Sequence, residues 1–172
     1  AWTCVVTVQV VTSSVLDWRG LAGPGEAALV INCCGIGTIL CGVLFPYLVR
    51  WFKTRLFGIS AAFIVIGLIP ASVVYALGVF ILGFAGSAFF TAAQNATGNI
   101  TPPERIPFVS GIMTSMMNLG PFLAPYVFSS SMLLLPAMGF DAVFPVLIVI
   151  ALVVCVIGLA HPMRALMATK PE

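Results

Sequence analysis

Four stretches of this chain contain no Asp, Glu, Lys or Arg: Ala27 to Val49, Leu56 to Pro103, Ile106 to Phe140 and Ala142 to Met163. Each reaches or exceeds the roughly 20 residues needed to cross the hydrocarbon of a bilayer. Only 7% of the chain is charged and 61% is apolar, against about a quarter charged in an ordinary soluble domain. A water-soluble fold of this length could not hide so much hydrocarbon, so lipid is the expected solvent and the bilayer the first expected partner.

Lipid offers backbone amides no partners, which leaves helices or a closed barrel as spanning structures. Barrel strands alternate apolar and polar residues. The run Phe144-Pro145-Val146-Leu147-Ile148-Val149-Ile150 does not, and the expected class is all-α, a polytopic transmembrane bundle forming a single domain over 1–172. The uncharged run from Leu56 to Pro103 is twice the length of a span, and Pro70-Ala71-Ser72 offers a place to end one helix and cap the next. Helices are expected near 1–17, 26–50, 54–70, 73–97, 105–130 and 141–161, with Met132 to Phe140 as an interfacial loop. The first is apolar but shorter than a span and begins on Ala1 without a basic leader, so it reads as the tail of a helix begun upstream and the chain as a fragment.

Basic residues set orientation, because short loops rich in Lys and Arg stay on the cytoplasmic side. Arg50, Lys53, Arg55, Arg105, Arg164 and Lys170 all fall on one face if the spans alternate, whereas Arg19 falls opposite, with Asp17, Glu26 and Asp141. The C-terminus is therefore expected in the cytoplasm and the protein in the plasma (inner) membrane. The sequons at Asn95 and Asn99 would then sit at the cytoplasmic end, unmodified.

Polar residues divide the helices. The third (Leu56 to Ile69) and sixth (Ala142 to Ala160) are nearly devoid of them, and a helix apolar all round can face lipid on most sides. The first carries Thr3, Thr7, Gln9, Thr12 and Ser13, the second Asn32 and Thr38, the fourth Thr91, Gln94 and Asn95, and the fifth Ser110, Thr114, Ser115 and Asn118. Such groups are costly in hydrocarbon unless they meet partners or water, so these four helices are expected to surround something while the other two stand outside. On the second helix Cys34, Thr38, Gly42 and Pro46 recur at i+4, and on the fourth Gly83 and Ser87, as candidate contact stripes.

Several functions are excluded. Cys4, Cys33, Cys34, Cys41 and Cys155 lie in apolar runs without His partners, a pattern of packing residues and not of a metal site or disulfide framework. A single His161 at a helix end and no buried carboxylate pair give no catalytic set, and no cofactor fingerprint or nucleic-acid-binding surface appears. A channel or a permease subunit of a membrane complex remains the alternative to a transporter, although no filter sequence stands out.

Two local patterns narrow the reading. Phe45-Pro46-Tyr47-Leu48-Val49-Arg50-Trp51-Phe52-Lys53-Thr54-Arg55 resembles the loop Gly-x-x-x-Asp-Arg-x-Gly-Arg-Arg between the second and third helices of each half of a major facilitator superfamily transporter. The basic positions match, whereas Val49 replaces the acid and Phe45 and Phe52 the glycines. Pro103-Glu104-Arg105, Gly111 and Asn118-Leu119-Gly120-Pro121 resemble that family's loop before the fifth helix of a half and the glycine-rich turns that open it. With two peripheral apolar helices and a cytoplasmic C-terminus, the chain resembles the C-terminal six-helix half of such a transporter.

That resemblance implies a secondary active transporter that moves a small-molecule substrate by alternating access around a site near the midplane, with the missing N-terminal six-helix half as partner. Gln9, Asn32, Thr114 and Asn118 sit well inside the helices that would line the cavity, and amides and hydroxyls can donate and accept to a polar organic solute. These four are the expected substrate-binding residues. Arg50, Lys53 and Arg55 are the expected cytoplasmic gating loop. No ionisable residue lies at the centre of a span, so if the intact transporter is proton-driven the titrating group is expected in the missing half.

Overall fold

A computed structural model of the chain describes residues 2–21, 23–71 and 74–160. The helices are α1 (Trp2–Trp18), α2 (Pro24–Phe52), α3 (Leu56–Ala71), α4 (Tyr75–Ile100), α5 (Ile106–Leu134) and α6 (Val143–Ala160), with 3-10 turns at Lys53–Arg55, Pro103–Arg105 and Pro136–Ala142. Ala1, Ser72, His161, Arg164 and Lys170, which entered the sequence reading, lie outside the described residues.

Four helical runs among the described residues are long and apolar enough to cross a membrane: Gly25–Ala71, Tyr75–Ile100, Pro103–Leu134 and Pro136–Ala160. These are fewer than the five complete spans expected, because α2 and α3 join through the turn at Lys53–Arg55 into one helical run. The 17 residues of α1 are fewer than a span needs.

Local chemistry accounts for several boundaries. The Gly23 amide donates to the Glu26 carboxylate at 3.0 Å, which satisfies one of the unpaired N–H groups at the start of α2, with Pro24 just after it. Pro70 was expected to end a helix, but it lies inside α3, one residue from its end. The fifth helix does not stop near Ser129-Ser130-Ser131. Ser131 turns its hydroxyl back to the Val127 carbonyl at 2.7 Å, a bond that lets serine sit inside a helix, and α5 runs on to Leu134.

Glycines set how closely the helices pack, since lipid tails give no hydrophobic drive and association depends on close van der Waals contact. A β-carbon on Gly83 of α4 would overlap the Cys34 carbonyl of α2, and one on Gly37 of α2 would overlap the Phe80 carbonyl of α4. Thr38 donates to the Gly83 carbonyl at 3.3 Å in the same crossing. The α2 stripe is therefore Cys34, Gly37, Thr38 and Cys41, and not the expected Cys34, Thr38, Gly42 and Pro46; Gly42 faces open space. The i+4 spacing drifts around a helix of 3.6 residues per turn, so the stripe needs an i+3 step to stay on one side.

Further along, Gly78 of α4 rides on the Ala71 backbone of α3, and Gly58 of α3 lies on Gly158 of α6, where an added β-carbon would stand 2.7 Å from the Gly158 carbonyl carbon. The order of this packed row is α2, α4, α3, α6. α1 crosses its face: Cys4, Val5, Val8, Val11 and Val15 join Ile64, Leu68, Val79, Leu82 and Leu147 in one core. One expectation is corrected here. α3 does not stand outside, because Leu56, Ile64 and Leu68 are fully buried between α4 and α6. A helix apolar on every side can serve as core and as lipid surface at once, so its composition does not locate it.

Contacts also fix the polarity of the ends. Leu56, at the start of α3, packs with Ala92 and Ala96 near the end of α4. Arg50, Lys53 and Arg55 thus share an end of the bundle with the α4–α5 turn and its Arg105. At the opposite end Arg19 grips Asp141, its Nε donating at 2.9 Å and one NH2 group closing on the same oxygen. The Arg19 guanidinium also lies over the Phe144 ring, and Trp18 meets Phe140 edge-on beside Gly139, whose φ is +55°. Tyr75 completes this end: its hydroxyl donates to the Val8 carbonyl and sits 3.3 Å from the Thr12 hydroxyl.

Candidate functional site

The open side of the bundle is formed by α1, α2 and α5. α1 is the most deeply packed helix, and apart from Trp18 at its end its uncovered residues fall on one strip, Val10, Ser13, Ser14 and Asp17. Gln9 lies at the edge of that strip, and its side-chain amide donates to the Cys34 sulfur at 2.8 Å, tying α1 to α2.

Asn32 is exposed. Two residues turn a helix by about 200°, so Asn32 points away from the Cys34 side that meets α1 and α4. Its neighbours along that outer line are Leu29, Ile36, Ile39 and Val43, all exposed.

α5 is the least covered helix. Its buried residues are Gly120, Ala124 and Ser131, spaced to lie on one side, and Gly120 seats Trp2 of α1, whose ring would stand 3.1 Å from an added β-carbon. The opposite side carries Gly111, Ser115, Asn118, Phe122, Pro125 and Ser129, with Thr114 next to it, and all of these are exposed. Thr114 donates to the Ser110 carbonyl at 3.0 Å and Ser115 to the Gly111 carbonyl at 2.9 Å. Their protons are used within the helix, so each can only accept from a ligand. Asn118 has no hydrogen-bond partner among the described residues and keeps both amide donors and its carbonyl.

The four expected substrate-binding residues therefore do not meet in one cluster. Gln9 is committed to α2, Asn32 lies on the outer line of α2, and Thr114 and Asn118 share the outer side of α5. Sequence reasoning passed over Ser13 and Ser115 as site residues. The signal was present: Ser13 is one turn beyond Gln9, and Ser115 is three residues before Asn118 on the same side. The three gating-loop cations are also exposed, and none has an ion pair among the described residues, where Arg19 with Asp141 is the pair formed.

A cleft between the ends of α4 and α5 is lined by Gln94, Thr97, Thr101, Ser110 and Met113 and holds ≈ 100 Å³. Small-molecule sites run to about 300 Å³ or more, so this cleft by itself is too small for an organic solute.

Set beside the models of known protein families, residues 3–171 match that of the Major Facilitator Superfamily. No curated protein and no solved structure matches the chain.

Proposed function

Because the chain belongs to the Major Facilitator Superfamily, a family of membrane transporters and not of enzymes, we propose that it is one six-helix half of a secondary active transporter. A second bundle covers its open side, and a small polar solute crosses between the two by alternating access. The orientation that goes with this has the basic end of the bundle, and the C-terminus with it, in the cytoplasm, with the protein in the plasma or inner membrane.

The observation that carries the reading is Asn118. It sits near the middle of α5, on the side turned away from the rest of the bundle, with all its hydrogen-bonding groups unused. An amide in that position would be a standing cost against acyl chains. Against a second bundle and a wet cavity it becomes a recognition group. Thr114 and Ser115 add acceptors on the same helix, and Gln9 and Asn32, which lie apart from them on α1 and α2, would reach the solute only once the second bundle closes over those faces. Arg50, Lys53 and Arg55 form the gating loop at the cytoplasmic end.

The test is solute-dependent thermal stabilisation of the purified transporter across a panel of sugars, amino acids and nucleosides. Asn118→Leu is expected to weaken binding of the stabilising solute about tenfold, roughly one lost hydrogen bond to a polar ligand, with the unliganded melting temperature unchanged. Equal affinity in the variant and the parent would remove Asn118 from the site and the main support with it.

A further inference from the structure

The α2–α3 junction has no slack. α2 ends at Phe52, one 3-10 turn covers Lys53–Arg55, and α3 begins at Leu56, so the side chains of the turn are held wherever the two helices put them. Lys53 adopts φ +46° and ψ −126°, a region that side-chain-bearing residues avoid and that glycine enters readily. Its amide nevertheless closes on the Val49 carbonyl, which pins the conformation.

This fixed turn gathers three cations. Arg50, Lys53 and Arg55 lie within six positions, all exposed, with no ion pair among the described residues. Among the described residues the acidic one at this end of the bundle is Glu104, itself next to Arg105, so these residues set one carboxylate against four cations. On the same helix, Tyr47 is 57% and Trp51 72% exposed. Both lie within two helical turns of the basic turn, and tyrosine and tryptophan near the end of a span settle at the headgroup boundary with the ring in hydrocarbon and the polar edge in water.

Two guanidinium groups and an ammonium at that boundary match one kind of ligand, a phosphodiester presented by the bilayer itself. Guanidinium grips phosphate with paired hydrogen bonds, and each cation near an anionic surface strengthens attachment roughly fivefold. We propose that the α2–α3 turn is a binding site for the headgroup of an anionic phospholipid, held by Arg50, Lys53 and Arg55 beside Trp51. The proposal rests on reading this turn as the gating loop of a transporter: the lipid is the counter-ion of the loop, and the anionic content of the membrane becomes a regulator of it. Orientation by positive charge alone asks only that the residues be basic and predicts no recruited lipid.

The experiment reads lipid contact and needs no solute, so it stands apart from whether the transport reading holds. With Trp2, Trp18 and every tryptophan of the second bundle replaced by Phe, Trp51 is the remaining tryptophan. Energy transfer from it to a trace of phospholipid carrying a dansyl-labelled anionic headgroup is measured in phosphatidylcholine vesicles. Transfer is expected severalfold above random dilution, displaced by added phosphatidylglycerol and not by added phosphatidylcholine. The variant R50Q/K53Q/R55Q is expected at the random level, and the charge-preserving R50K/R55K to keep most of the excess, which separates lost charge from lost fold. Transfer at the random level in the parent, or an undiminished excess in the triple variant, would overturn the site. Displacement by inorganic phosphate as effective as by phosphatidylglycerol would also overturn it, in favour of a soluble anion.

Discussion

α5 and α6 each leave one side uncovered by the rest of the bundle, yet the two sides differ in chemistry. The open side of α6 is Val149, Ile150, Leu152, Val153, Val156, Ile157 and Leu159, aliphatic throughout, while its packed side lies on α3 through Gly158 and Gly58. The open side of α5 carries Ser115, Asn118 and Ser129, with Thr114 beside them, among exposed apolar residues such as Met116, Leu119 and Phe122. Hydrocarbon accepts the first surface at no cost and penalises the second. Exposure in an isolated bundle therefore has two meanings here, a lipid face on α6 and a face awaiting protein or water on α5.

The same contrast separates the packed row α2, α4, α3, α6 from everything on its open side, and substitutions can break it. The largest effect is expected where backbone meets backbone. Gly83→Val places a side chain into the Cys34 carbonyl, with no rotamer to relieve it, and should cost about 4 kcal/mol, above the ~1–3 usual for overpacking. Gly42→Ala, into open space on the same pair of helices, should cost nothing. Thermal unfolding in detergent compares the two, and equal losses would show that the α2–α4 register is different. Next comes a charge on each open face. Val153→Lys on α6 should lower membrane insertion by about 3 kcal/mol, whereas Ser115→Lys on α5 in the assembled transporter should cost under about 1 kcal/mol, because a wet face solvates the ammonium. An insertion assay giving the same penalty at both positions would erase the distinction between lipid face and cavity face. The smallest effect belongs to the clamp at the far end. Arg19→Gln leaves the part-buried Asp141 carboxylate without its partner and should cost about 1–2 kcal/mol, with the exchanged pair R19D/D141R recovering at least half in a double-mutant cycle.

Much of this was legible before any coordinates. Charge-free runs marked the chain as a set of apolar helices, since a span is defined by the absence of charge over a fixed length, although α2 and α3 run together as one helical stretch. The basic residues of the α2–α3 and α4–α5 turns were read as sharing an end, and the packing of Leu56 on Ala92 and Ala96 puts those turns together. Other features were not legible. The α2 stripe was misread by one step because Gly37 and Gly42 look alike in a sequence, and only the neighbouring helix tells which is covered. α3 was read as peripheral because it lacks polar residues, yet its Ile64 and Leu68 are core. Gln9, Asn32, Thr114 and Asn118 were grouped because all are polar and lie inside spans, but depth in a span says nothing about which way a side chain faces. Cys34 receives the Gln9 amide, while Asn32, two residues earlier, is turned to the far side.

The sequence by itself determined that the chain lives in a membrane, that its segments are helical and which ends are basic, because each follows from the cost of charge and unpaired amides in hydrocarbon. The tertiary structure alone decided which helix lies beside which, where glycine lets backbones touch, that Arg19 finds Asp141, and that Asn118 is left without a partner among the described residues. In water an amphipathic pattern announces the buried face of a helix. In lipid both the core and the outside are apolar, so that pattern fades and only the packing reveals it.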